Sequence, residues 1–157
     1  MKMSEIDAGA ADAVAFGDLR ASLGLQLRLA QVALFDAFYE TLSEHGLKPG
    51  EFTMLRIIEL NPGTRQGVIA RRLRIKPAHM TKLVQRNVEK GLVARDVADD
   101  DRRAVQLSLT PAGLRFVAAR KAQFLDFAAE GTMRLTALEH RTLVGLLQKL
   151  NGMEPAD

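Results

Sequence analysis

Hydrophobic positions along this chain recur mostly at helical spacing, and one short stretch alternates instead. The helical period predicts helices over about 18–43, 48–60, 64–73, 77–90, 111–129 and 136–150. Val105, Leu107 and Leu109 alternate with polar residues, which predicts a half-buried strand over 104–109 that pairs with a strand over 92–97. Residues 98–103 are the predicted turn. The pattern therefore indicates a mainly α fold with a small β-hairpin.

Residues with strong end preferences support these boundaries. They are Asp18, Thr110 and Thr136 as N-caps, Glu139 as the capping-box partner of Thr136, Pro77 as a first helical residue, and Gly91 as a C-terminal cap. Arg74 and Ile75 form the predicted tight turn between the third and fourth helices. The third and fourth helices together have the spacing of a helix-turn-helix.

The first helix is apolar on more than one side. One stripe contains Leu23, Leu27 and Phe38, and a second contains Leu29 and Phe35. A surface helix needs only one apolar stripe to pack on its own core. We therefore expect a second copy of the chain to cover the remaining surface.

Composition indicates one globular domain. The chain has 157 residues, of which 47% are hydrophobic and 26% charged, as is usual for a protein with a packed core. We predict a flexible arm over 1–17, a single domain over 18–150 and a tail over 151–157. The chain has no Cys, which excludes disulfides and thiolate metal sites. No cofactor or metal site, signal peptide or membrane-spanning segment is predicted, and a cytoplasmic protein is expected.

Positive charge is concentrated in one segment. Residues 65–90 contain eight Lys or Arg and one acidic residue, whereas the remainder of the chain has a net charge of −4. Such asymmetry is typical of a nucleic-acid-binding face, although a solvated helix surface can carry similar charge. The pattern therefore needs support from the placement of individual side chains.

The fourth helix presents a polar side that could enter the major groove of DNA. With its apolar residues turned inward, its outer side would carry Lys76, Ala78, His79, Thr81, Lys82, Gln85 and Arg86. We expect His79, Thr81 and Lys82 to contact bases or phosphates. Lys76 and Arg86 are predicted to contact the DNA backbone, and the small Ala78 would allow a close approach.

The predicted hairpin carries two arginines at its tip. Arg102 and Arg103 could enter the minor groove, whose negative potential attracts guanidinium groups. Asp101 would hold Arg103 or the turn amides in place, since a carboxylate pairs well with a guanidinium. An ordinary polar turn is the alternative interpretation of this segment. Together with the helix-turn-helix spacing, the hairpin indicates a winged helix-turn-helix.

These residues resemble the MarR-type (multiple antibiotic resistance regulator) transcriptional regulators. The wing signature of the family, Asp-x-Arg-x-x-x-Leu-x-Leu-Thr, is matched by Asp101, Arg103, Leu107, Leu109 and Thr110, and the resemblance covers about residues 18–150. Three positions depart from the usual pattern, namely Lys76 at the N-cap of the recognition helix, Asn87 in place of a core Leu, and Gly67 within the third helix. The departures leave the fold unaffected but make individual base contacts less transferable.

The resemblance implies a homodimer that binds a palindromic operator in double-stranded DNA and represses nearby genes. Residues 47–110 would form the DNA-binding lobe, and 18–45 with 111–150 the dimerisation helices. A small aromatic or phenolic effector, or its acyl thioester, would release the DNA. Cations beside aromatic walls suit an aromatic carboxylate, so the residues that could bind this effector are Arg20, Arg28, Phe38, Tyr39, His45, Met54 and Arg56. The alternative is that the arginines lie at the surface or in salt bridges of the dimer and that the Phe and Met residues belong to the core.

Two other functions are compatible with parts of the pattern. An enzyme is disfavoured because His45, His79 and His140 are widely separated and no nucleophile or metal-binding motif accompanies them. A winged-helix module that binds only proteins would not need the basic segment beside an arginine-tipped wing. DNA affinity that falls steeply with salt would separate this alternative from a DNA-binding regulator.

Overall fold

A computed structural model describes residues 14–42, 46–48, 50–98, 101–126 and 134–153, and for 41, 42, 97, 98, 101–104 and 126 it describes the backbone alone. The elements are a 3₁₀ helix (Gly17–Ala21), α1 (Leu23–Leu42), α2 (Glu51–Leu60), β1 (Thr64–Arg65), α3 (Gln66–Arg72), α4 (Pro77–Glu89), β2 (Val93–Ala98), β3 (Asp101–Leu109), α5 (Pro111–Asp126) and α6 (Ala137–Leu150). The mainly α fold with a small sheet is confirmed.

The chain divides into two compact units, residues 1–36 and 37–157. The described part of the first unit contains the 3₁₀ helix and α1 as far as Asp36. The second unit contains every other element. The prediction of a single domain over 18–150, with an arm and a tail, stays a prediction.

The start of the first helix differs from the prediction. Instead of one helix from Asp18, a 3₁₀ turn ends at Ala21, and Ser22 takes an extended conformation before α1. The Ser22 hydroxyl accepts a hydrogen bond from the Leu25 N–H at 3.4 Å, which is the contact of an N-cap three residues before its donor. Asp18 was therefore wrongly predicted as the N-cap, and Ser22 has that position.

The sheet has three strands, with β3 in the centre of the order β1-β3-β2. Both pairings are antiparallel, and Thr64 lies opposite Leu107 while Val93 lies opposite Leu109. The sequence analysis missed β1, which has only two residues. A second correction concerns the hairpin, because β2 extends to Ala98 and β3 begins at Asp101. The predicted turn over 98–103 is thus wrong at 98 and at 101–103, which belong to the strands, and residues 99 and 100 lie outside the described residues.

The hydrophobic core belongs to the second unit. Its largest fully buried apolar side chains are Phe52, Met54, Leu55, Ile58, Ile69, Met80, Val84, Leu107 and Val117. They come from α2, α3, α4, β3 and α5, so the helix-turn-helix and the sheet share one core. Within the described ranges, no helix combines the length and the apolarity needed to cross a membrane.

Candidate nucleic-acid interface

Helix α4 is oriented by an apolar side that packs into the core. Met80, Leu83 and Val84 are buried, as the sequence predicts. Pro77 is the first helical residue, and Lys76 precedes it in an extended conformation without a side-chain cap. The helix ends at Glu89 and is followed by Lys90 as C-cap. Gly91 then has a left-handed φ of +68°, and the Leu92 N–H donates to the Asn87 carbonyl at 2.9 Å. Both predicted ends of this helix are therefore confirmed.

Most of the predicted DNA-contacting side chains share the exposed side of α4. The exposed members are Lys76, Ala78, His79, Thr81, Lys82 and Gln85. No described N-cap side chain accepts a hydrogen bond from the first turn of α4, so its backbone N–H groups remain available for an anion. The structure thus brings these six residues together on one accessible surface, which we call the α4 face.

Two residues of the α4 face are also held by neighbouring elements. The Thr81 hydroxyl donates to the Pro77 carbonyl at 3.0 Å and accepts from Gln66 Nε2 at 3.2 Å. Gln66 begins α3, so this contact links the two helices of the helix-turn-helix. The sequence analysis did not single out Gln66, because a polar residue at a helix start carries no signal of a partner fifteen residues away.

Gln85 connects α4 to the sheet. Its Oε1 accepts from Arg95 Nη1 at 2.8 Å, and its Nε2 donates to Glu89 Oε1 at 2.9 Å. Arg95 lies on β2 and was missed as a residue that supports the interface. Its position in a strand next to α4 was the available signal. These contacts fix the Gln85 amide, which leaves Lys82 and His79 as the more adaptable members of the face.

Arg86 differs from the other predicted DNA contacts. Its side chain is 33% exposed, and Nη1 lies 2.7 Å from Oε1 of the completely buried Glu51. The structure therefore gives this guanidinium an internal partner. Its predicted contact with the DNA backbone stays untested, and we do not include Arg86 in the α4 face.

The wing arginines lie on a strand rather than in a turn. Asp101, Arg102 and Arg103 are the first three residues of β3, and Ala98 lies opposite Asp101 after a register shift in β2. The structure describes the backbone of these residues but not their side chains. The predicted support of Arg103 by Asp101 consequently stays a prediction.

Additional cations lie on and beside the helix-turn-helix connection. Arg71, Arg72 and Arg74 are exposed, and Arg74 has a φ of +53° in the turn between the helices. These cations belong to the basic segment over 65–90, but no DNA contact was predicted for them. They extend the positive charge beyond the α4 face, which favours a polyanionic partner.

A small apolar groove lies between α2 and α5. Its volume is about 220 Å³, and it is lined by Phe52, Thr53, Arg56, Ile57, Lys121, Phe124 and Leu125. The rings of Phe52 and Phe124 are stacked with centroids 4.3 Å apart. Arg56 is ion-paired with Glu59 one turn away. Two cations beside stacked aromatic rings could hold a small aromatic anion.

The groove includes only part of the predicted effector site. Arg56 lines it, and Phe38 lies behind it in an edge-to-face contact with Phe124. Met54 is completely buried and does not line the groove, while Tyr39 packs edge-to-face on Phe38. Arg20 and Arg28 belong to the other unit and are exposed. His45 lies outside the described residues.

Six of the seven groove residues were not among the predicted effector-binding residues, namely Phe52, Thr53, Ile57, Lys121, Phe124 and Leu125. The sequence analysis gave Phe52 and Phe124 only as apolar helix positions. Their pairing depends on how α5 packs on α2, which helical periodicity does not specify. Lys121 alone could have been considered, since it is a cation close to the apolar positions of α5.

Comparisons with known proteins agree on one family. The sequence profile of the MarR family matches residues 45–104. A putative transcriptional regulatory protein for the hcr operon of Thauera aromatica is 34% identical over 135 residues, which are 85% of this chain and 81% of that protein. The HTH-type transcriptional repressor MdtR of Bacillus subtilis is 30% identical over 118 residues, which are 68% of this chain and 76% of that protein.

Solved structures give the same result. The transcriptional repressor CouR, in a complex with a 23-mer DNA duplex, superposes with a TM-score of 0.78 at 27% identity and covers 88% of this chain and 98% of its own. A probable transcriptional regulator from Pseudomonas aeruginosa superposes with a TM-score of 0.76, also at 27% identity, with coverage of 84% and 98%. The chain is thus similar to regulators over most of its length.

Proposed function

Because this chain belongs to the MarR family of DNA-binding transcriptional regulators, we propose that it is a homodimeric repressor that places α4 in the major groove of its operator. The observation that carries this proposal is the α4 face, where Lys76, His79 and Lys82 are exposed beside a helix start without a side-chain cap. Family membership makes the chain a regulator rather than an enzyme. It also favours a DNA-binding function over that of a winged-helix module that binds only proteins.

The α4 face suits both kinds of contact that a DNA-binding helix makes. A helix of this size fits the major groove, where His79 and Lys82 can reach base edges or phosphates. The small Ala78 permits close approach, and the start of α4 favours a phosphate because its N–H groups and its dipole are positive there. In this proposal Arg102 and Arg103 extend into the minor groove, and Asp101 restrains Arg103.

A second copy of the chain would bury the exposed apolar helices. In the described part of the first unit, Leu23, Leu29 and Val32 are exposed, and in the second unit Leu146 and Leu150 of α6 are exposed. Exposed apolar surface of this extent commonly marks a protein interface. A symmetric dimer would read a palindromic operator with half-sites about 34 Å apart or a multiple of that distance. We propose that it acts on DNA in the cytoplasm.

The groove between α2 and α5 supports an effector that is an aromatic or phenolic acid, or its acyl thioester. Phe52 and Phe124 provide apolar contact, and Arg56 and Lys121 provide positive charge. A ligand changes DNA affinity only if it binds the two conformations of the protein with different affinity. We propose that the effector prefers the conformation with low operator affinity.

Operator binding across a salt series tests the DNA interface. The purified dimer is titrated with its own upstream promoter DNA, and Lys82→Ala and Arg103→Ala are compared with Lys149→Ala, which removes an exposed cation from α6. We expect the first two substitutions to weaken binding about tenfold or more and to reduce the salt slope by about one for each cation that no longer meets a phosphate. Lys149→Ala should leave affinity unchanged. Equal affinity of all variants would refute the interface.

The same titration with a panel of aromatic acids and their thioesters tests the effector proposal. Release of the operator by one compound, with loss of that response in Lys121→Ala, is the expected result. Lys121 is exposed and lies outside the α4 face, so this substitution should leave binding without effector unchanged. A response that persists in this variant would place the effector elsewhere.

A further inference from the structure

One buried carboxylate connects α2, α4 and the segment before α2. Glu51 is completely buried at the start of α2. Its Oε1 accepts from Arg86 Nη1 at 2.7 Å, and its Oε2 accepts from the Lys48 N–H at 2.8 Å. Lys90 Nζ lies 3.8 Å from Oε2 and donates to the Gly46 carbonyl at 2.8 Å. Both carboxylate oxygens are therefore engaged.

A buried carboxylate such as that of Glu51 is stable only where its oxygens have hydrogen-bond donors and positive charge nearby. Removing an ionised group from water is costly unless hydrogen bonds and opposite charge compensate for it. Arg86 and Lys90 supply that compensation from the last turn of α4 and the residue that follows it. A rotation of α4 that moved Arg86 away would leave the Glu51 charge buried and undercompensated. The contact therefore restricts the position of α4 relative to α2.

This restriction extends to the α4 face. Lys82 precedes Arg86 by four residues, about one helical turn, so a displacement of Arg86 also moves Lys82. Interactions with DNA depend steeply on the position of such side chains. We propose that Glu51 and Arg86 are positioning residues that set the orientation of α4 for the operator. Arg86 then acts through Glu51 rather than on a phosphate, and the inference rests on the proposed function of α4.

Arg86 could position α4 through Glu51 or could contact a DNA phosphate, and these two roles predict different results in a double-mutant cycle. The variants are Glu51→Gln, Arg86→Gln and the double variant, and the control is Lys82→Ala. If the pair acts as a unit, each single substitution weakens operator binding about tenfold, and the double variant is weakened by a similar factor rather than by the product. The salt slope stays unchanged in all three, whereas Lys82→Ala lowers it by about one.

Folding is measured separately so that affinity reports only the native dimer. Circular dichroism and thermal unfolding give the folded fraction of each variant, and gel filtration gives its oligomeric state. A pair that only stabilised the fold would lower the unfolding temperature without weakening the binding of the folded dimer. If Glu51→Gln does not fold, the salt slope of Arg86→Gln decides between the two roles by itself.

The remaining outcomes are equally informative. A salt slope reduced by about one in Arg86→Gln would show that Arg86 contacts a phosphate, and additive effects would show that the two residues act independently. Either result would overturn the inference. Unchanged operator affinity in both single variants would overturn it as well. If Lys82→Ala leaves both operator affinity and the salt slope unchanged, the proposed DNA-binding role of α4 is refuted. This result differs from one in which Lys82→Ala weakens binding and the Glu51 and Arg86 variants do not, which would refute only the positioning role.

Discussion

Asn87 shows how far a single residue can be interpreted before the fold is known. From the family resemblance, a core Leu was expected at its position. The side chain is completely buried, and its Nδ2 donates to the Leu83 carbonyl one turn earlier at 2.8 Å. Asn can make this contact within its own helix. Its Oδ1 accepts no hydrogen bond from the described residues.

Contacts between residues that are distant in sequence could not be predicted from the sequence pattern. Glu51 and Arg86 are 35 residues apart, and Gln66 and Thr81 are 15 apart. Hydrophobic periodicity predicts which side of a helix is buried, but it does not specify which helices meet or at what depth. Arg86 was consequently grouped with the exposed cations of α4, although its partner lies in α2.

Glu139 provides a pH-dependent contribution that belongs to a single residue. The Thr136 backbone N–H and the Thr136 hydroxyl donate to its carboxylate, and they lower the pKa of Glu139 below the ordinary value of 4.5. The stabilising contribution is therefore complete above pH 4.5 and is lost as the pH falls through the lowered pKa. In Glu139→Gln, which can still form a capping box, we expect this pH dependence to disappear.

Urea unfolding at a series of acidic pH values measures the effect. The difference in unfolding midpoint between the wild-type protein and Glu139→Gln should be largest above pH 4.5 and should shrink on acidification. A constant difference across the series would mean that the Thr136 contact does not depend on the charge of Glu139. Thr136→Ala removes the two hydroxyl contacts but keeps the backbone N–H that donates to Glu139, so it gives the reference without a side-chain cap.

At the level of elements, local signals predicted most helix ends correctly. Thr110 accepts from the Gly113 N–H at 3.0 Å, and Thr136 with Glu139 forms the predicted capping box. Capping is a contact within four residues, so the sequence contains the necessary information. The two-residue strand β1 was missed because its partner Leu107 lies more than forty residues later. The extension of β3 to Asp101 was missed because the charged residues suggested a turn.

Gly113 allows α5 to approach the start of β2. A Cβ atom at this position would collide with the Leu92 carbonyl oxygen and lie 3.0 Å from its carbonyl carbon. The same oxygen accepts from the Thr110 N–H at 3.0 Å, so it cannot move without breaking that contact. We expect Gly113→Ala to lower the free energy of unfolding by about 3 kcal/mol or more, since backbone rather than a flexible side chain must shift.

Gly145→Ala is the matched control because it places the same Cβ within α6. No described atom lies within 4 Å of that position, and Ala favours a helix over Gly by about 1 kcal/mol. Denaturant unfolding should therefore show opposite shifts for the two substitutions. Similar stability of both variants would mean that α5 can move away from Leu92 at little cost.

At the scale of the whole molecule, the exposed apolar residues of α6 predict association. Leu138, Leu146 and Leu150 are more than half exposed, although they follow a well-formed helix cap. The sequence analysis inferred a partner from the apolar sides of the first helix. It could not foresee how little of α6 the rest of the chain covers, because coverage depends on tertiary packing.

Leu146→Glu tests this association directly. Its side chain is 61% exposed, so the substitution should leave the folded chain intact, whereas a buried charge at a dimer interface would oppose association. We expect a shift from dimer to monomer in sedimentation equilibrium. Operator affinity should fall by about a hundredfold or more, because a monomer binds only one half-site.

Gln148→Glu introduces the same side chain on the opposite side of α6 and serves as the control. It should remain dimeric and keep its operator affinity. A dimeric Leu146→Glu variant would exclude this side of α6 from the interface, and dimerisation would then depend on other apolar surfaces. A variant that fails to fold, identified by circular dichroism, would be replaced by Leu150→Glu, which tests the same side of the helix.

The aromatic contacts near the groove have an optical consequence. The chain contains one Tyr and no Trp, so ultraviolet emission above the phenylalanine background originates from Tyr39 alone. This ring is 48% exposed and contacts Phe38, which in turn contacts Phe124 at the edge of the groove. An aromatic compound that bound in the groove and absorbed at the wavelengths of tyrosine emission would accept excitation energy from this phenol. A fall in Tyr39 emission on titration would therefore report binding in the groove without an added label.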